Sequence, residues 1–301
     1  MRRIRWFLWW ATFAFMCAQQ ADAANPLGIA YKDTTNVLLY AHPTGMIIAG
    51  RCNRNDPVFQ QVRSGGAEVL FYISATERPD HRVCALDNEL YMNDPMRVPL
   101  WPYPRYGERV SYPKTHMTDM RPGSPWIRHV VDYVAQLMRD GKFDGVFLDS
   151  LSARPWNKLA DWQSWPQKEK DAWTDGAVDL VRRLDEKRRA INANFIIVSN
   201  GPWDRGDSRG ERGERYVDGI MLEHPKVGSK WQEKQAGKPY GDLGHRRVLV
   251  VARGPEAARA WAKVKGVTDV SSQFGDREYE HPTVPPVPFE PLHDRKNSSS
   301  K

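Results

Sequence analysis

The feature that most restricts this chain is a recurring unit: a short run of apolar, often β-branched residues, then a polar residue or glycine, then a helical stretch. Such runs occur at Asn36–Tyr40 (NVLLY), Ala67–Ser74 (AEVLFYIS), Asp144–Asp149 (DGVFLD), Phe195–Ser199 (FIIVS), Val217–Leu222 (VDGIML), Arg247–Ala252 (RVLVVA) and Val267–Ser271 (VTDVS). They are apolar nearly throughout, as parallel strands covered on both faces must be. Between them, Asp56-Pro57 opens a helix that stops at Gly65-Gly66. Ser124-Pro125 opens another, whose Ile127, Val131, Val134 and Met138 share a face before Gly141. Further helices fit 167–190 and 255–264. Cap residue, first-turn proline and terminal glycine are the expected punctuation.

Strands alternating with helices predict a parallel sheet, and seven strands over roughly 250 residues fit a single (β/α)8 TIM barrel of the α/β class. An eighth strand is expected near Leu27–Tyr31 or around Met117–Met120. An open doubly wound parallel sheet is the alternative. No GxGxxG follows the first run and no GxxxxGK[ST] occurs, which argues against its nucleotide-binding forms.

The ends of the chain read differently. Residues 1–23 combine three early arginines, an uncharged apolar run from Trp6 to Ala18 and the small-residue site Ala21-Asp22-Ala23, the pattern of a signal peptide. That predicts a secreted or periplasmic protein, a barrel over 24–280, and no membrane association after cleavage. A net charge of +7 and a mean hydropathy of −0.64 exclude a multi-span membrane protein. Residues 281–301, rich in proline and closing Asn-Ser-Ser-Ser-Lys, read as a disordered tail. Cys52 and Cys84 survive cleavage and in an oxidising compartment form a candidate disulfide. No CxxC or HExxH spacing is present, so neither a metal nor a cofactor is expected. The Arg/Gly-rich stretch from Asp204 to Arg215 reads as a solvated, self-compensated mobile loop, and no basic stripe suggests nucleic acid.

In a parallel barrel the groups at the carboxyl ends of the strands face the active site. That rule selects Asp149, Asn200 and Glu223, each directly after an apolar run. Asp144 and Asp218 precede the glycines that open their strands, which places them at the opposite, stability-determining face. Two carboxylates with an amide between them suit acid, base or nucleophile work on a glycosidic bond. Flat aromatic rings in nearby loops stack on sugars, and Trp156 and Trp203 stand closest in sequence to Asp149 and Asn200.

Tyr72-Ile73-Ser74-Ala75 with Glu77-Arg78-Pro79-Asp80 resembles a segment of the endo-α-1,4-polygalactosaminidase-like glycoside hydrolases. Thr118-Asp119-Met120-Arg121-Pro122, Lys142 to Asp149, Ser199-Asn200-Gly201 and Val217 to Glu223 resemble four more of its segments in order. The resemblance implies a TIM barrel and cleavage of an amino-sugar exopolysaccharide. It also implies Asp149 and Glu223 as catalytic residues, with Asn200, Tyr72, Asp119 and Arg121 on the substrate. Thr76 replaces the family's glycine, and its aspartate after the Leu-Asp strand is missing from Ser150-Leu151-Ser152. The expected protein is a secreted glycoside hydrolase with a polysaccharide substrate; a non-catalytic carbohydrate-binding barrel is the alternative.

Overall fold

A computed structural model describes residues 24–79, 90, 115–155, 162–203, 208–273 and 282–289. The chain begins with β1 (Asn25–Ala30), a 3-10 turn at Val37–Tyr40, β2 (Met46–Ala49), α1 (Val58–Ser64) and β3 (Glu68–Ser74). A two-stranded antiparallel sheet of β4 (Glu77–Pro79) and β5 (Thr115–Met117) follows, then α2 (Pro125–Asp140), β6 (Gly145–Asp149) and α3 (Gln167–Ile191). The remainder is β7 (Ile196–Asn200), α4 (Ser208–Glu211), β8 (Gly219–Glu223), α5 (Lys230–Ala236), β9 (Arg247–Val251), α6 (Pro255–Trp261) and β10 (Asp269–Ser271).

Eight of these strands close into a parallel barrel in the order β1-β10-β9-β8-β7-β6-β3-β2. This is the (β/α)8 TIM barrel. The last closure joins short β10 to β1, and Gln273 extends it: its Nε2 donates to Ile29 O at 2.9 Å and its Oε1 accepts from Ile29 N–H at 2.7 Å. A side-chain amide thus supplies the pairing that a longer strand would have made. The α2 punctuation behaves as expected, with Ser124 Oγ accepting from Ile127 N–H at 3.1 Å and Gly141 closing the helix at φ 62°.

The core has two compartments. Leu27, Ile29, Met46, Ile48, Leu70, Phe147, Ile196, Val198, Met221, Leu249 and Val251 fill the barrel lumen. The alternate residues, such as Phe71, Val146, Leu148, Ile197 and Ile220, meet the helices. Side chains that step by two along every strand make both faces apolar.

The strand expected at Asn36–Tyr40 is corrected. Asn36–Tyr40 is a helical turn, because Val37 and Tyr40 are buried while Leu38 and Leu39 face outward; that is a period of three, and Asn36 opens it at φ 65°. The early strands are β1, at the first of the two candidate positions, and the unexpected β2, too short to stand out in sequence. The 117–120 candidate contributes only the end of β5.

Residues 282–289 of the tail are also packed. Asn36 Nδ2 donates to Pro282 O at 3.1 Å, Tyr40 Oη to Thr283 O at 3.0 Å, and Phe289 stacks on His42 at 4.5 Å. The crossover between β1 and β2 carries only a 3-10 turn where longer crossovers carry a helix, and this segment covers it. Residues 1–23, 281 and 290–301 lie outside the described residues. Cys52 is disulfide-bonded, and Cys84 lies outside the described residues. No helix among the described residues is long and apolar enough to cross a membrane.

Candidate functional site

The alternation that fills the lumen also selects the site. Phe147, Val198 and Met221 point inward, so the residues two positions on, Asp149, Asn200 and Glu223, point inward as well. Each is the last residue of its strand, at the carboxyl mouth, and each is half-buried. Strands β6, β7 and β8 are neighbours in the barrel, so Asn200 ends the strand between the other two; it is in register with Met221, and Glu223 lies two residues farther along its strand. By the same stepping, Leu70 places Tyr72 inward and Ile29 places Tyr31 inward; their rings pack at 4.5 Å.

A backbone feature marks these three positions. The residues immediately after them all take left-handed conformations: Ser150 at φ 60°, Gly201 at φ 88° and His224 at φ 48°. Such a conformation costs a non-glycine residue on the order of 1 kcal/mol and concentrates at functional sites. The turn lets Gly201 N–H pair with Met221 O at 3.0 Å and His224 N–H with Val251 O at 2.7 Å, so the polar side chain before each turn stays at the mouth.

Asp149 is the most firmly held. Its Oδ2 accepts from Tyr72 Oη at 2.7 Å. Its Oδ1 accepts from Asn200 Nδ2 at 2.6 Å and from Ser150 N–H at 2.7 Å. Three donors leave the carboxylate little freedom to rotate.

Glu77, which begins β4 just past β3, is a further carboxyl here that no rule of strand ends selects. It is 7% exposed and accepts from Thr115 Oγ1 at 3.1 Å. Burial, and then the charge of Asp149, push its pKa from 4.5 up to about 7. The only sequence signal for it was its place in the Glu77-Arg78-Pro79 segment.

The remaining expected residues fare unequally. Asp119 is buried and engages its own loop: Arg121 Nε and N–H donate to it at 2.9 and 3.0 Å, while Ser124 Oγ donates to its carbonyl at 2.6 Å. These contacts shape the approach to α2. Trp203 is a correction: it is fully buried, its Nε1 donates to Ser199 Oγ at 3.0 Å, and a Cβ at Gly213 would lie 2.3 Å from its ring. A ring so enclosed offers no face to a sugar. Trp156 lies outside the described residues.

The Arg/Gly stretch is correspondingly structured over its described part: Gly210 and Gly213 make room for Trp203, and Arg209 and Arg212 pair with Asp175 at 2.6 and 2.8 Å. Asp144 and Asp218 sit at the opposite end of the barrel, paired with Arg63 and Arg188. Among the described residues no cluster of His, Cys, Asp or Glu could hold a metal ion.

No protein-family model matches the chain, and no curated protein matches it. Among solved structures, the glycoside hydrolase domain of PelA from Pseudomonas aeruginosa is similar at a TM-score of 0.51 and 14% identity, over 85% of this chain and 96% of that one. Aspergillus fumigatus Ega3 in complex with galactosamine follows at 0.48 and 13%, over 79% and 80% of the two chains. An α-galactosidase from Thermus thermophilus follows at 0.45 and 12%, over 83% and 58%. The likeness to the PelA domain is one of fold.

Proposed function

We propose that this protein is a glycoside hydrolase that cleaves within a polysaccharide, with Asp149 and Glu223 as its catalytic carboxyls. The observation that carries this reading is the set Asp149, Asn200 and Glu223 on three adjacent strand ends, each followed by a left-handed turn, with Asp149 fixed by Tyr72 and Asn200. Breaking a glycosidic bond requires one carboxyl to protonate the leaving oxygen and another to attack the anomeric carbon or activate water. Asp149, held by three hydrogen-bond donors, suits the nucleophile or base. Glu223, two strands away across Asn200, suits the acid.

The Asn200 amide, having given its Nδ2 to Asp149, presents Oδ1 to a sugar hydroxyl. Tyr72 orients Asp149, and its ring with that of Tyr31 provides an aromatic floor. An amino-sugar exopolysaccharide is the finer reading, supported by the family resemblance of five segments in order. The signal-like residues 1–23 support secretion or a periplasmic location, and the bonded state of Cys52 supports a Cys52–Cys84 disulfide.

The test is direct. Purified protein is incubated with cationic, neutral and anionic exopolysaccharides and new reducing ends are counted. Asp149→Asn and Glu223→Gln should each abolish turnover while circular dichroism and the melting curve stay those of the parent. Near-normal activity in both variants would overturn the assignment, and saccharide binding without any turnover by the parent would identify a carbohydrate-binding barrel.

A further inference from the structure

Loops that follow barrel strands lie at the mouth, and the loop that leaves Glu223 at the end of β8 leads into α5, whose second residue is Trp231. Trp126, Trp165, Trp173, Trp203 and Trp261 are buried and Trp162 is half-buried, but Trp231 is 47% exposed, as is Val227 on the same loop at 52%. The backbone that carries this ring is anchored. Pro225 O accepts from the core indole of Trp261 at 3.3 Å, Ser229 N–H donates to Lys226 O at 3.1 Å, and Lys226 N–H donates to Gln232 Oε1, beside Trp231 in α5, at 2.9 Å.

An indole left partly in water on an anchored loop keeps apolar surface open at little further entropic cost of ordering. The apolar face of a pyranose ring is a matching partner, because its hydroxyls stay wet at the edges while its C–H groups cover the aromatic ring.

Barrel order gives this ring its place. In the sequence β1-β10-β9-β8-β7-β6-β3-β2, β8 stands opposite β2, and Tyr31 and Tyr72 follow from β1 and β3 on either side of β2. The tyrosine floor and the β8–α5 loop therefore occupy opposite sides of the mouth. A saccharide chain crossing from one to the other starts at Asp149, which Tyr72 holds, and reaches Glu223 before it reaches Trp231.

We propose that Trp231 is a binding residue of a distal subsite, on which a pyranose unit away from the scissile bond lays its apolar face. This rests on the glycoside hydrolase reading and adds to it where a long chain is gripped outside the reacting centre. A short oligosaccharide that fills only the centre does not reach the ring.

Two measurements test this. In the first, parent, Trp231→Phe and Trp231→Ala protein are given partly N-acetylated polymers of galactosamine and of glucosamine, and the trimers of each. On the polymer that the parent cleaves, Trp231→Ala should raise KM by about ten-fold with kcat nearly unchanged, Trp231→Phe should recover most of that loss, and the trimers should show no difference. Melting curves should coincide, since the ring is exposed. In the second, the same polymers and trimers are titrated into Glu223→Gln protein and tryptophan emission is followed. The polymer should shift the emission to shorter wavelength, and the shift should vanish when Trp231→Phe is added, whereas the trimers should leave emission from Trp231 unchanged.

Equal losses on trimer and polymer, or polymer binding that Trp231→Ala leaves intact, would overturn the proposal. So would a concentration-dependent dimer that Trp231→Ala dissolves while polymer affinity holds, which would make the ring a contact between copies of this chain. A parent that cleaves no polymer yet binds one through Trp231 would sink the hydrolase reading and leave the subsite standing.

Discussion

Asn200 Nδ2 lies 2.6 Å from Asp149 Oδ1, so an amide at the end of one barrel strand fixes the carboxylate at the end of its neighbour. A hydrogen bond to a charged group contributes about 1.5–3 kcal/mol. Asn200→Ala should lower kcat by about 10- to 100-fold while leaving the melting temperature near that of the parent, because the group is half-buried. Steady-state kinetics with a thermal melt checks both halves; an unchanged kcat would show that Asp149 needs no such restraint.

The pH dependence of stability should carry the signature of Glu77. Its pKa is raised from 4.5 to about 7 by burial and by Asp149, so between those values the folded protein binds more protons than the unfolded chain. Stability is then greatest below about pH 4.5 and falls as pH rises toward about 7, by about 3 kcal/mol at 1.36 kcal/mol per pKa unit. Glu77→Gln cannot ionise and should flatten that part of the profile. Urea unfolding at pH 5 and pH 8 measures the difference, and parallel profiles would contradict a raised Glu77 pKa in the folded state.

Trp203 is part of the core. Trp203→Ala should cost about 3–5 kcal/mol, the usual penalty for emptying a large aromatic site. Saccharide affinity per folded molecule should hold. A melt compared with a binding isotherm distinguishes this from a stacking platform, which would show the reverse pattern.

Gln273 closes the barrel seam through both of its amide atoms to Ile29. Gln273→Ala leaves a buried N–H and a buried carbonyl unpaired, each worth about 1–3 kcal/mol. Hydrogen exchange should show the Ile29 amide losing protection more than the amides of β6 and β7. Uniform loss would mean that the seam does not open first.

Ser150 holds φ 60° directly behind Asp149. Ser150→Gly removes the steric cost of that conformation and should stabilise the fold by up to about 1 kcal/mol, less the extra chain entropy that glycine brings to the unfolded state. Activity should not rise with stability, because the strain serves to hold the turn. Chemical denaturation together with kcat checks the pair of outcomes.

How far the site could be read in advance differs residue by residue. Asp149, Asn200 and Glu223 were legible because a polar residue that ends an apolar run breaks a strong local pattern. Trp203 was misread: closeness in sequence to Asn200 gave no information about which way the ring turns, and its packing against Gly213 is a contact between segments. Glu77 was legible only as a motif letter, since its burial beside Asp149 depends on β3, β4, β5 and β6 meeting. Asn36–Tyr40 was read as a strand because four apolar residues in a row suit either period, and only tertiary burial of Val37 and Tyr40 chooses three over two.

The sequence by itself determined the alternating barrel architecture and which strands end in a polar group, because the two-residue side-chain period and the capping signals are local and act before the chain folds. Only the tertiary structure decided that those ends come from adjacent strands, that Asn200 holds Asp149, and that Glu77 is buried. The physical reason is that charge, burial and hydrogen-bond partnership are properties of neighbours in space, and barrel closure alone sets which residues become neighbours.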